Sequence, residues 1–304
     1  MIDFVSKRRI YYCISLALII IGIVFLVIRG VKLDIMFSGG AKITYGYSGE
    51  TINTNDVEAL VKNTLKRDST VQNSTGYQDN SSSLVISLAG TKSLTTDEQD
   101  ALYKALNDQY ADSSIQQGST TNVEASIGHR FLVRGLIAIL LAAIFIIVYV
   151  SFRFSVVSGF TAALTALIAL CHDVLLVFFV FVIFGIPLND AFIAVVLTIL
   201  GYSVNDTLVI FDRIRENKRL SGNKISAADL VNKSIRQSLG RTINTSLMSL
   251  VAIILVLIFG AVRGITSIVY FALPMMIGIF SGCYSSTLLA PCIWWSFKKE
   301  KTAK

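Results

Sequence analysis

The chain has 304 residues, of which 53% are hydrophobic and only 15% are charged. A soluble domain of this length needs a more charged surface, so the composition excludes a soluble globular protein and predicts a polytopic membrane protein. The net charge of +7 is divided among short segments beside apolar runs, which argues against a nucleic-acid-binding surface.

Six apolar runs are long enough to cross a membrane, which takes about 20 residues. They cover residues 10–28, 131–150, 156–184, 191–211, 242–259 and 266–295. Basic residues cluster beside these runs, at 6–9, 212–219 and 297–304. Because basic segments stay on the cytoplasmic side, both chain termini are predicted to be cytoplasmic.

The polar segment between the first two spans is rich in Ser, Thr, Asn and Asp, and is predicted to fold outside the cytoplasm. Its strands are predicted at 41–47, 69–74, 82–90 and 120–128. Its helices are predicted at 55–67 and 95–110. The order β-α-β-β-α-β predicts a small α+β domain of the ferredoxin-like type.

Two helix starts in this segment carry cap patterns. Asn55 is the predicted cap of the first helix, with Glu58 three residues later. Thr95 and Glu98 form a capping-box pattern at the second helix. Both patterns indicate where an amphipathic helix begins.

The fold class is therefore a six-span helical bundle with an α+β domain between spans one and two. A cytoplasmic loop is predicted at 212–240, and its segment 226–240 is predicted to form a helix along the membrane surface. The predicted units are the N-terminus with the first span (1–28), the extracytoplasmic domain (29–128), the five-helix bundle (129–297) and the cytoplasmic tail (298–304).

Ionisable side chains inside the predicted spans are few. His172 and Asp173 lie near the middle of the third span, Asp206 lies in the cytoplasmic half of the fourth, and Arg241 begins the fifth. A charge at the centre of a membrane helix costs about 2.5–3.5 kcal/mol on insertion scales, so such residues indicate a functional site. Polar side chains at helical spacing are predicted to support them: Tyr202, Ser203, Asn205, Thr207, Thr242 and Thr245.

Asp206 and Arg241 approach the membrane from the same side at similar depth, so the carboxylate and the guanidinium are predicted to meet. An aspartate beside a movable arginine is suited to bind and release a proton. Other interpretations are open: Arg241 as an anchor that reaches lipid phosphate, His172 as a structural hydrogen-bond donor, and Tyr202 and Ser203 as helix-packing groups.

One long motif resembles a known family. GYSVNDTLVIFDRIREN (201–217), followed by RTINTS (241–246) and preceded by HD (172–173) and VYVSFRF (148–154), closely resembles the SecF proteins of the SecD/SecF family, a branch of the RND superfamily. The resemblance is sharp over 131–295. It is weaker over the first span and FSGG (37–40).

The resemblance implies a subunit that pairs with a SecD-like protein and assists the SecY/SecE/SecG channel, together with YidC. Such a subunit draws unfolded preproteins across the cytoplasmic membrane of a prokaryote, using a proton or sodium gradient. It needs no cofactor or metal and is not an enzyme.

The resemblance also implies roles for individual residues. Asp206 and Arg241 match the family's ion-coupling pair, whereas the role of His172 and Asp173 stays open. The cytoplasmic motif comprises Asp212, Arg213, Arg215, Glu216 and Asn217. One departure is Met36, which replaces the family's Asp before FSGG, and a second is the absence of Gly-Pro before the second span.

Three other functions fit parts of the pattern. Asp173 and Asp206 on adjacent helices suggest an intramembrane aspartyl protease, but the flanking residues differ from those enzymes. A rhomboid-like dyad of Ser203 and His172 lacks the Gly after the serine. A scaffold subunit, whose polar stripe binds a partner helix, would keep its function after Asp206→Asn.

Overall fold

The computed structural model describes residues 3–49, 52–67, 69–75, 82–89, 94–123, 125–154, 159–222 and 224–302. The helices are α1 (Arg8–Arg29), α2 (Ile35–Ser38), α3 (Thr54–Leu65), α4 (Thr96–Gln109), α5 (Ala125–Arg153), α6 (Gly159–Phe184), α7 (Asp190–Ser221), α8 (Ala227–Val262), α9 (Thr266–Tyr284) and α10 (Ala290–Thr302). The strands are β1 (Gly40–Tyr47), β2 (Ser69–Thr75), β3 (Ser82–Ala89) and β4 (Gln116–Val123). A π-helical turn, Ser285–Leu289, joins α9 to α10.

Six membrane-spanning helices are confirmed within these residues: α1, α5, α6, α7, α8 and the continuous α9–α10 segment. Helices α6 and α7 form the centre of the bundle, and α1, α5 and α8 keep large exposed apolar faces. Small side chains permit close packing at the centre, since Ala162, Ala166 and Ala169 of α6 are fully buried. The protein is therefore a multi-pass membrane protein with two central helices.

The α+β domain, residues 40–123, has the predicted ferredoxin-like topology. Its antiparallel sheet has the strand order β2-β3-β1-β4. Helices α3 and α4 bury their apolar residues against one face of this sheet, where Ile43, Ile86 and Leu102 are fully buried. The predicted capping box of α4 is confirmed, because Thr95 and Glu98 each bond the other's backbone N–H.

Two predictions within this domain are wrong. The cap of α3 is Asn53, whose side chain accepts from the N–H of Asn55; Asn55 itself lies inside the helix, and Glu58 accepts from the Val71 N–H at 3.1 Å. The last strand is Gln116–Val123 and not 120–128, because α5 already begins at Ala125. The helix of the second span thus begins before the predicted apolar run, two residues after the strand ends.

Several contacts fix the α+β domain to one end of the bundle, called the domain end. The Leu188 backbone, before α7, accepts from the Asp34 N–H at 3.0 Å and donates to the Lys32 carbonyl at 2.9 Å. Phe37 of α2 is buried among residues of α6 and α7. The Thr266 hydroxyl at the start of α9 donates to the Asn73 carbonyl of β2 at 3.1 Å.

The opposite end, called the hairpin end, differs from the prediction. Helix α7 continues to Ser221, and α8 begins at Ala227 and runs unbroken through Gly240 into the span. Residues 227–240 are helical as predicted, but the prediction that they lie along the membrane surface is wrong. Their apolar side chains pack instead on the bundle, together with Phe4, Phe154 and Trp294, and this burial stabilises the helix beyond the membrane.

The N-terminal segment is attached to the hairpin end through Asn232 of α8. The Asn232 Oδ1 atom accepts from the backbone N–H groups of Phe4 and Val5 at 2.9 and 3.1 Å. The Asn232 amide nitrogen donates to Asp3 at 2.8 Å. Phe4 and Val5 are buried, so α1 begins from a fixed segment.

We expect Asn232→Ala to release this segment. Two buried N–H groups then lose their acceptor, which costs roughly 1–3 kcal/mol. Limited proteolysis should cut before α1 faster than in wild type, whereas Lys233→Ala, an exposed neighbour, should match wild type. An unchanged cleavage rate in Asn232→Ala would contradict the assignment.

The same segment should respond to acid. Hydrogen bonds from the Ser6 backbone and the Asn232 side chain lower the pKa of Asp3 below its ordinary value of 3.8. A lowered pKa means that Asp3 stabilises the attached segment above pH 3.8, and that this stabilisation disappears as pH falls through the lowered value. Cleavage before α1 by an acid-active protease should therefore accelerate below about pH 4.

Candidate functional site

Asp206 lies on the buried face of α7. Its side chain is 2% exposed, and within the described chain its Oδ2 atom has no hydrogen-bond partner. Ser246 and Arg241 of α8 lie near the carboxylate, as does Cys283 of α9. A buried carboxylate with an unused oxygen is an expensive group in a membrane.

Helix α8 carries a stripe of small hydroxyl residues, of which Ser246 lies near Asp206. Ser238, Thr242 and Ser246 recur every four residues, and all three are buried. Tyr202 of α7 donates from its hydroxyl to Ser246 at 3.0 Å. The hydroxyls of Ser238 and Thr242 have no partner among the described residues. The buried face of α8 therefore offers hydrogen-bonding groups that the described residues leave unsatisfied.

Arg241 does not form the predicted ion pair with Asp206. Among the described residues, no Arg241 nitrogen lies within 4.0 Å of a carboxylate oxygen. Arg241 precedes Thr242 by one residue, and a step of one residue turns a side chain by about 100° around the helix. Its side chain is therefore exposed and lines an open groove of about 690 Å³ between α5, α7 and α8.

The polar residues of α7 that were predicted to support the site lie on two different faces of the helix. Asn205 is exposed and lines the groove with Arg241, whereas Asp206 is buried. Thr207 is buried and donates to the Ser203 carbonyl at 2.9 Å. Thr245 of α8 is exposed and donates to the Arg241 carbonyl at 2.9 Å.

Asp173 of α6 occupies a second polar cluster, which is buried. Its Oδ2 atom accepts from Ser203 at 2.7 Å and from Ser285 at 2.6 Å. Its Oδ1 atom accepts from Ser281 at 2.5 Å and lies 3.2 Å from His172 Nδ1. We call these five residues the Asp173 cluster.

The sequence pointed to Asp173, His172 and Ser203 but not to Ser281 or Ser285. The two serines are four residues apart in the sixth span, which places them on one helix face.

The geometry of the cluster argues against the aspartyl-protease interpretation. Catalytic aspartates share a proton at about 3 Å, whereas both oxygens of Asp173 are bonded to serine and histidine and not to Asp206.

The cytoplasmic motif predicted at 212–217 lies on the extension of α7 at the hairpin end. Asp212 forms ion pairs with Arg153 at 3.1 Å and Arg215 at 2.8 Å. Arg213 and Glu216 form an exposed pair at 2.6 Å.

Asn217 is buried at the same end and ties α7 to α8. Its amide nitrogen donates to Ser234 at 3.0 Å and to Gln237 at 2.7 Å. The motif thus joins α5, α7 and α8 at this end, because Arg153 is the last residue of α5.

Comparison with known proteins identifies the family. The family model described as protein export membrane protein SecD/SecF, C-terminal, matches residues 103–300. The protein translocase subunit SecF of Thermobaculum terrenum is 33% identical over 99% of this chain and 95% of its own length. The SecF subunit of Petrotoga mobilis is 28% identical over 99% of this chain and 97% of its own length.

The structural similarity extends to fused proteins. The crystal structure of SecDF from Thermus thermophilus superposes with a TM-score of 0.80 at 26% identity, covering 98% of this chain and 39% of that chain. The SecDF subunit of Bacillus subtilis is 32% identical over 99% of this chain and 39% of its own length. The chain thus spans about two fifths of the SecDF proteins and nearly the whole of the SecF subunits. It belongs to the SecD/SecF family of protein export membrane proteins and, within that family, to the SecF-type translocase subunits.

Proposed function

We propose that this SecF-type subunit couples an ion gradient to late steps of preprotein translocation across the cytoplasmic membrane, with Asp206 as the ion-binding group. The observation that carries the proposal is the buried, partly unbonded carboxylate of Asp206. Binding of a proton or a sodium ion would remove the cost of that charge in the membrane. The hydroxyls of Ser238 and Thr242 offer further oxygen atoms along the same interface.

A SecD-like subunit is the proposed partner. The relatives named SecDF contain a region like this chain within a longer single protein, so the rest of that length would come here from a second chain. The exposed apolar faces of α5 and α8, which include Phe145 and Leu255, are available for such a partner or for lipid. SecY/SecE/SecG, YidC and the preprotein would complete the assembly.

The orientation follows from the basic residues. The hairpin end carries the arginines of the 212–219 segment and both chain termini, so it would face the cytoplasm, and the α+β domain would face outward. Relatives are named as translocase subunits, which supports a non-catalytic role. The proposed work is mechanical: an ion cycle at Asp206 changes the packing of α7 and α8.

The direct test uses vesicles that contain the chain, a SecD-like partner and the translocon, loaded with a stalled preprotein. An imposed proton or sodium gradient should accelerate completion of translocation, and the matching ionophore should remove that acceleration. Vesicles without this chain provide the baseline. Equal rates with and without the gradient would contradict ion coupling.

A further inference from the structure

The Asp173 cluster is separate from the Asp206 site and has the composition of a cation site. Asp173 lies 14 residues after the start of the 26-residue helix α6, which places it near the middle of the membrane at 1.5 Å per residue. Two carboxylate oxygens and three serine hydroxyl oxygens converge there from α6, α7 and the α9–α10 segment. All of these side chains are at most 3% exposed.

An ionised Asp173 would need charge compensation in this buried position. His172 is the single nitrogen base that the described structure places on the Asp173 carboxylate. Its other ring nitrogen, Nε2, is buried and has no hydrogen-bond partner among the described residues, and the ring borders a cavity lined mainly by apolar side chains such as Leu16 and Ile168. A protonated ring would leave a charged N–H unpaired there, so we assign a neutral His172 that donates from Nδ1.

With a neutral histidine, four neutral donors surround one anionic carboxylate. Their hydrogen bonds stabilise the charge, but they do not cancel it. An ionised Asp173 would therefore place one uncompensated negative charge near the membrane centre, where each such charge is costly, and a bound cation would compensate it.

The backbone beside the cluster is also irregular. The π-helical turn Ser285–Leu289 begins at the last serine of the cluster and interrupts the regular hydrogen bonds between α9 and α10. Single π turns are frequent at functional sites. In membrane transporters, interrupted helices supply backbone carbonyls that coordinate sodium. The turn thus places an irregular backbone segment next to the three serines.

We propose that Asp173, Ser203, Ser281 and Ser285 bind a monovalent cation of the size of Na⁺. The hydroxyl hydrogens, which now point at the carboxylate, would turn away so that oxygen lone pairs face the ion. A divalent ion fits poorly, because Ca²⁺ takes six to eight oxygen ligands, usually including several carboxylates. Within the described residues, no group of three or more His, Cys, Asp or Glu side chains could hold a metal. The site stands whether or not Asp206 carries the coupling ion.

The test measures thermal unfolding of the purified full chain in detergent, at constant pH and ionic strength, as NaCl replaces choline chloride. Because a ligand that binds the folded state raises its stability, the melting temperature of wild type should rise and saturate with Na⁺. Ser281→Ala and Ser285→Ala should weaken the apparent Na⁺ affinity by about 10- to 100-fold. Asp173→Asn should abolish the response.

Ser286→Ala is the matched control. Ser286 is buried beside Ser285, but its hydroxyl donates to the Cys283 carbonyl and not to Asp173. It should keep the wild-type response. If Asp173→Asn fails to fold, the two serine variants test Na⁺ binding, because each of them removes only one hydroxyl group and leaves the carboxylate in place.

Three results would overturn the proposal: no Na⁺ response in folded wild type, a full response in Asp173→Asn, or equal weakening in Ser286→Ala.

The same melting experiment on Asp206→Asn distinguishes Na⁺ binding at Asp173 from Na⁺ binding at Asp206. If that variant alone loses the Na⁺ response, the ion belongs to Asp206; the Asp173 proposal then fails while the proposed function remains. If Asp206→Asn keeps the response, the Asp173 site is supported even where gradient-driven translocation fails.

Discussion

Asp206→Asn should reduce translocation in the vesicle experiment to the rate measured without a gradient. The amide has nearly the same shape as the carboxylate, so the packing of α7 against α8 and α9 is kept. It carries no charge, however, and cannot take up and release a proton or hold a cation as a carboxylate does. The protein should therefore insert and pair normally while the gradient-dependent acceleration disappears.

The matched control is Asp190→Asn on the same helix. Asp190 is the first residue of α7, is exposed, and lies at the domain end. Its replacement should leave the gradient response at the wild-type level.

Arg241→Met should reduce the gradient-dependent acceleration of translocation, because it removes a positive charge near Asp206. It should leave insertion unchanged, because Arg241 forms no ion pair with Asp206. Wild-type acceleration in both Asp206→Asn and Arg241→Met would instead favour the scaffold function.

Gly40→Ala should destabilise the α+β domain by about 3 kcal/mol or more, because two costs add. Gly40 has φ +140°, a backbone conformation that residues with a Cβ adopt only with strain. A Cβ atom at this position would also lie 2.0 Å from the Leu88 carbonyl oxygen of the paired strand β3. That contact involves backbone on both sides, so it cannot be relieved by a side-chain rotation.

Gly46→Ala, in the same strand, is the control. A Cβ on Gly46 meets nothing within 4 Å, and its φ is not in the left-handed region. Pulse proteolysis of the full-length protein in increasing urea should show early cleavage of the α+β domain in Gly40→Ala and a near wild-type profile in Gly46→Ala. Equal profiles for the two variants would show that β1 tolerates a side chain at its start.

Local patterns were sufficient for the number of spans and for the topology of the α+β domain. The length of an apolar run decides whether a helix can cross a membrane, and the alternation of strand and helix signals decides the order of elements. The Thr95–Glu98 cap is similarly local. By contrast, Asn53 and Asn55 are equally good caps by residue type, so the choice between them depended on how α3 docks on the sheet.

The site was harder to predict because it depends on packing between helices. The predicted meeting of Asp206 and Arg241 relied on depth alone, whereas the angular position of Arg241 around α8 directs its side chain into the groove. Ser281 and Ser285 show the spacing of one helix face. Which carboxylate they meet, however, follows from the packing of α9 on α6 and α7, which no local pattern contains.

The pairing of β1 with β4 brings together the two points at which the α+β domain joins the rest of the chain. The first residue of the α+β domain, Gly40, is the pairing partner of its last strand residue, Val123, and Cα atoms paired across an antiparallel ladder are about 4.5–5.5 Å apart. The domain therefore leaves and re-enters the membrane bundle at nearly one point, as insertable domains do. A short linker could replace it without separating α2 from α5. The spanning bundle could thus accept inserted domains of different sizes at this point.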